Sequence, residues 1–156
     1  MRQDRESFAS CYLCRRWDHR QHSLAIAVEL AEPRGHLLKE GATIVYLSGR
    51  DSPGMLVGCS ASLREHGFPV GLTNTAVVLK PDFETPDAAF KEDACRFMAE
   101  LGEVVSTIDN EPGNVNLFHR QFPDAINVLI HTNAAPGAPE PSEGLSHIDD
   151  FASWAS

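Results

Sequence analysis

Residues 44–54, "IVYLSGRDSPG", decide how this chain is read. Four apolar residues, Ile44 to Leu47, run straight into a polar corner carrying a hydroxyl (Ser48), a guanidinium (Arg50) and a carboxylate (Asp51), broken by Gly49 and Gly54. A short, continuous apolar run bounded by glycine and polar residues is the pattern of a strand buried on both faces. Pro53 is suited to the first turn of a helix, so the corner reads as a strand-to-helix connection in which Ser48 or Asp51 could serve as cap.

Outward from this stretch the pattern repeats. The spacing predicts a strand over Ala42 to Leu47, a helix over Pro53 to His66 ended by Gly67, and a short strand over Ala76 to Leu79. A helix over Pro86 to Leu101 stopping at Gly102 follows, then a strand over Glu103 to Ile108. A helix over Gly113 to Phe122 closed before Pro123, and a last strand over Ile126 to Ile130, complete the series. Alternating strands and helices predict an α/β fold: a parallel sheet, Rossmann-like and three-layered, with helices on both faces.

Residues 1 to about 40 show no strand pattern. "ESFASCYLCRRW" and "SLAIAVELA" carry apolar residues at helical spacing instead. The expected organisation is one α/β domain over 1–132, with a helical N-terminal segment (1–40) and an alternating core (41–132). Beyond it, "NAAPGAPEPSEG" reads as a tether within 133–156, with "LSHIDDFASW" docking as a short terminal turn through Leu145, Ile148, Phe151 and Trp154.

The balance of 22 acidic against 13 basic residues in a chain of 156 gives a net charge of -9. That charge repels phosphate backbones and anionic bilayers, so neither nucleic acid nor a membrane is the expected partner. The longest apolar runs are far too short to span a bilayer, and "MRQDRESFAS" lacks the apolar core of a signal peptide. A cytoplasmic protein with reduced thiols is the expectation.

Cys11, Cys14, His19 and His22 are spaced C-x2-C-x4-H-x2-H, a ligand set that zinc favours. The loop between the pairs is much shorter than in finger motifs, and the surrounding residues read as a helix on which both thiols are core. Cys59 and Cys95 fall on apolar helix faces and are expected in the core as well. His36, His66, His119, His131 and His147 have no Ser or Cys partner at a useful position, so the sequence does not suggest a hydrolytic triad.

In a parallel sheet, binding sites form where strands end on the carboxyl side. Ser48, Gly49, Arg50 and Asp51 follow one strand, and Asp109, Asn110 and Glu111 follow another, on the same edge by topology. Lys80 ends a strand and Lys91 lies in the first turns of a helix. A hydroxyl, an ammonium and carboxylates converging there suit a small anionic group held with a divalent metal. The first two can bind phosphoryl oxygens, and the carboxylates offer the oxygen ligands that Mg²⁺ takes.

These residues resemble the haloacid-dehalogenase-like (HAD) hydrolases, mostly phosphatases. The likeness covers roughly residues 40–132 and rests on "IVYLSGRD" as the family's second motif, "FKEDA" or "LKPD" as the third and "STIDNEPGN" as the fourth. It implies that Ser48, with Gly49 and Arg50 beside it, binds the phosphoryl group of a phosphomonoester. Lys91, preferred over Lys80, would neutralise the phosphate and nucleophile, and Asp109 would ligate Mg²⁺ with Asn110 or Glu111.

The family's first motif, D-x-D after a central strand, has no counterpart before Ser48. Asp4 in "RQDRE" and Asp18 in "RWDHR" follow no strand. The resemblance thus implies a truncated or degenerate phosphohydrolase without its aspartate nucleophile. It also implies a sheet whose strands at 42–47 and 103–108 have lost a common neighbour. The gap would be closed by direct pairing, by the N-terminal segment or by a strand-donating partner. A non-catalytic remnant that binds a protein or a phospho-ligand is the alternative.

Overall fold

In a computed structural model describing residues 41–149, the elements alternate as β1 (Ile44–Asp51), α1 (Ser52–Glu65), β2 (Thr75–Lys80) and α2 (Asp87–Leu101). They continue as β3 (Ser106–Asp109), α3 (Pro112–Gln121), β4 (Ile126–Ile130) and β5 (Ser146–Ile148). The fold is α/β, and every strand pairing is parallel: β1 with β2 in one sheet, and β3, β4 and β5 in that order in a second.

β1 is buried on both faces, as its apolar run dictates. Ile44 and Tyr46 pack with Leu63 of α1 and Phe68, while Val45 and Leu47 point the other way, onto Phe90, Ala94, Cys95 and Met98 of α2 and onto Leu117 and Phe118 of α3. This second cluster is the main core, and α2 is the element that ties β1 and β2 to α3. Cys59 and Cys95 are both buried, as their helical positions predict. The second sheet has its own apolar layer of Ile108, Val128 and Ile130, packed against Ile148.

β1 runs four residues further than its apolar part. Ser48 still faces Leu79 in the ladder, but the next matched pair is Asp51 with Lys80, so Gly49 and Arg50 are bulged out between them. Bulges of this kind bend a strand and re-aim its side chains, and they concentrate near functional sites. Asp51 then caps α1, its Oδ2 accepting the Gly54 N–H at 2.8 Å. Of the two possible caps it is Asp51, and not Ser48, that takes the role.

β3 begins later than its apolar pattern suggests, at Ser106, because Val105 is more than half exposed. Thr107 and Asn127 are paired in register and buried, the Thr107 hydroxyl donating to Asn127 Oδ1. The Asn127 amide closes the loop after α3 by donating to the carbonyls of Phe122 and Ala125.

The segment after Thr132 contains no helix or strand until residue 146, yet it is held down. Asn116 of α3 donates to the Glu140 carbonyl (2.8 Å) and accepts the Ser142 N–H (2.7 Å). The expected terminal turn at "LSHI" is instead β5, because the outer edge of β4 offers unpaired backbone groups that Ser146 to Ile148 satisfy. Phe151 and Trp154 lie outside the described residues, as do the segment 1–40 expected to be helical and the Cys11, Cys14, His19 and His22 set. Among the described residues no helix is long and apolar enough to cross a membrane.

Candidate functional site

Asp109 is the last residue of β3 and is buried. Its carboxylate collects donors from two helices and a loop: Oδ1 accepts the Glu111 N–H at 2.9 Å, and Oδ2 accepts Asn114 Nδ2 at 3.0 Å and Lys91 Nζ at 3.3 Å. Only 6% and 5% of the Lys91 and Asp109 side chains are exposed, so this is an ion pair taken out of water. The ammonium also lies 5.6 Å from the centre of the Phe118 ring, whose face favours a cation.

Burying two charges costs several kcal/mol per ion unless their remaining hydrogen-bonding capacity is met. The donors from Glu111 and Asn114 meet it on the acid side. Local sequence places each one. Lys91 falls in the buried stripe of α2, between Phe90 and Ala94 and beside Cys95, so the helix face that builds the core carries the ammonium inward. Asn114 sits in the first turn of α3, close enough to reach back to the strand end from which its helix springs.

β1 reaches the same helix. A Cβ on Gly49 would lie 2.9 Å from Asp87 Oδ2, so the bulge rests against the start of α2 and a larger residue there would displace that carboxylate. Asp87 and Lys91 are one helical turn apart, about 6 Å along the axis. The carboxyl ends of β1 and β3 therefore both adjoin the first two turns of α2.

The remaining candidates are divided. Asn110 is buried and donates to Thr132 Oγ1 (3.0 Å), and Glu111 accepts the Ala135 N–H through Oε2 (3.2 Å). Both thus brace the 132–135 segment. Arg50 Nε is buried without a hydrogen-bond partner. Among the described residues no hydrogen bond joins Ser48 to Lys91 or Asp109.

Lys80 is occupied elsewhere. It donates to the carbonyls of Phe83 and Thr85 and pairs with Asp87 at 2.8 Å, fixing the loop after β2. Lys91 thus faces the end of β3, while Lys80 is spent on the loop after β2.

Sequence reasoning gave no role to Asn114, Asp87, Asn116 or Thr132. Asn114 and Asn116 had a readable signal, as polar residues on the turns of a helix whose other inward positions are apolar.

Among the described residues no group of three or more His, Cys, Asp or Glu side chains is arranged to hold a metal. A single carboxylate is the least that Mg²⁺ takes from a protein, water or phosphoryl oxygens filling its other positions. Asp109 Oδ1 accepts a single hydrogen bond and retains a lone pair for such a role. The chain matches no family model, no curated protein and no solved structure.

Proposed function

We propose that this chain carries a HAD-like phosphohydrolase domain, three-layered and Rossmann-like, whose strand-end site binds a phosphomonoester together with Mg²⁺. The observation that supports it most is the buried Lys91–Asp109 pair at the end of β3, on the helix whose first turn meets the end of β1. In this reading the Lys91 ammonium and the Ser48 hydroxyl bind phosphoryl oxygens, and the Gly49–Arg50 bulge shapes the rim. Asp109 holds the metal, with Asn110 and Glu111 as carbonyl or carboxylate oxygens beside it. Bound there, Mg²⁺ would offset phosphate charge.

Binding need not bring hydrolysis. The sequence before Ser48 supplies no D-x-D, so the reading assigns this chain a truncated or degenerate form that binds without turning over on its own.

Calorimetry of the full chain with MgCl₂ and inorganic phosphate tests the proposal. Binding of both is expected, with Mg²⁺ lost in Asp109→Asn and phosphate weakened at least tenfold in Lys91→Met. p-Nitrophenyl phosphate should not be hydrolysed. Absence of both binding events would remove the proposal, and robust turnover would reveal another nucleophile.

A second reading is favoured by one feature. Among the described residues β1 pairs only with β2 and β3 only with β4, so each of these two strands has one side without a strand partner among those residues. A non-catalytic remnant that accepts a strand from a partner protein would use these edges. It would bind that partner while binding neither Mg²⁺ nor phosphate.

A further inference from the structure

The pairing of β5 with β4 sets Leu129 opposite His147, and His131, just past the end of β4, donates its backbone N–H to the Ile148 carbonyl at 2.8 Å. The two imidazoles meet there. His131 Nε2 lies 2.8 Å from His147 Nδ1, with ring centres 5.1 Å apart and planes crossed at 76°. On the other side of its ring, His131 Nδ1 lies 3.9 Å from Asp149 Oδ1. About half of the His131 side chain and most of Asp149 are open to water.

We propose that His131 and His147 form a binding site for a divalent transition-metal ion of the zinc type, with Asp149 as the carboxylate behind the first ligand. Neutral imidazole is the commonest protein ligand for such ions. Two nitrogens bound tetrahedrally to zinc sit about 3.3 Å apart. The rings must therefore open by about 0.5 Å from the 2.8 Å seen here, a small rotation for exposed side chains.

Without metal the 2.8 Å contact is a hydrogen bond in which one of the two facing nitrogens donates and the other accepts. To take a metal, the donating ring gives up that proton to solvent and takes one on its outer nitrogen, which leaves a lone pair on both facing nitrogens. If the donor is His131, its outer nitrogen is Nδ1, on the side of the Asp149 carboxylate 3.9 Å away. Two ligands are fewer than a structural zinc centre uses, so water completes the coordination and the metal exchanges with solvent. The site shares no residue with the Lys91–Asp109 pair, so it does not depend on the phosphohydrolase reading.

Imidazole NMR of the full chain during titration with zinc chloride alone, at pH 7.5, tests this. The ring signals of His131 and His147 are expected to move together and saturate at the same zinc addition. Either His131→Gln or His147→Gln should abolish the response of the ring that remains. Protons compete for the same nitrogens, so the joint response should weaken as the solution is made more acidic.

Cys11, Cys14, His19 and His22 could take zinc separately. The titration is therefore repeated in the C11S/C14S variant, where the two rings should respond as before. Failure of both rings to respond, or a normal response from one when the other has been replaced, overturns the proposal.

Discussion

Lys91 Nζ and Asp109 Oδ2 meet at 3.3 Å inside the protein, joining the second turn of α2 to the last residue of β3. An ion pair in this position links the core helix to the second sheet through charge as well as packing. Asp109→Asn leaves an ammonium buried without its counter-charge, and breaking a buried pair this way costs about 3 to 5 kcal/mol. The double variant Lys91→Met with Asp109→Asn removes both charges; the new amide oxygen can accept the Glu111 N–H, and its NH₂ is met once the Asn114 amide turns its oxygen inward. It should be more stable than Asp109→Asn alone. Urea unfolding with an unchanged m-value checks the order of the three proteins.

The cap at the start of α1 sets up a reversal of sign. A Cβ on Gly54 would lie 2.7 Å from Asp51 Oδ2, so Gly54→Ala must push the capping carboxylate away. In an ordinary helix position the change to Ala stabilises by about 1 kcal/mol, while losing an Asp cap costs about 1 kcal/mol. Gly54→Ala in the native background should therefore gain nothing or destabilise. In an Asp51→Ala background, where no cap remains to be displaced, the same substitution should stabilise. Thermal unfolding of the four proteins of this cycle decides it. Equal effects in both backgrounds would show that the cap adjusts freely.

The apolar runs at Ile44 to Leu47 and Val128 to Ile130 were legible because burial on both faces leaves no polar alternation. The ends of the strands were less so. β1 continues to Asp51 because Lys80 still pairs with it beyond the bulge, a tertiary fact that no local pattern announces. β5 was hidden for a similar reason: three residues are too few to show a period, and what makes them a strand is the open edge of β4. Lys91 was legible in the sequence from its place near a strand edge. Its position within the apolar stripe of α2 is a stronger signal, because an amine is carried inward there only if something answers its charge.

Asn116 shows how a segment rich in proline and glycine can be fixed without secondary structure. One side-chain amide both donates to Glu140 and accepts from Ser142, replacing the ladder that the segment lacks. Asn116→Ala removes both bonds and leaves a part-buried N–H without a partner, at a cost of about 1 to 3 kcal/mol. The loss should be local. Hydrogen exchange at the Ser142 amide is expected to quicken by tenfold or more, while amides in β3 and β4 keep their protection. Equal quickening throughout would mean that the segment supports the whole fold.

Two buried acids should make the protein sensitive to alkali. Burial pushes the Tyr46 phenol from 10.0 up to about 12, and its hydroxyl donates to the Pro69 carbonyl at 2.9 Å. Burial likewise pushes the Cys95 thiol from 9.0 up to about 11; the nearby Lys91 charge pulls the other way and Glu92 adds to the rise. Both groups are neutral when protonated, and the folded state holds those protons more tightly than the unfolded chain. Their contribution is thus complete below pH 9 and is lost as the pH rises, from 9 to 11 for Cys95 and from 10 to 12 for Tyr46. Urea unfolding at a series of pH values should show stability falling across this window. Cys95→Ala should flatten the first part of the fall and Tyr46→Phe the second. If Cys95→Ala keeps the full slope between pH 9 and 11, the thiol is not the group whose burial controls it.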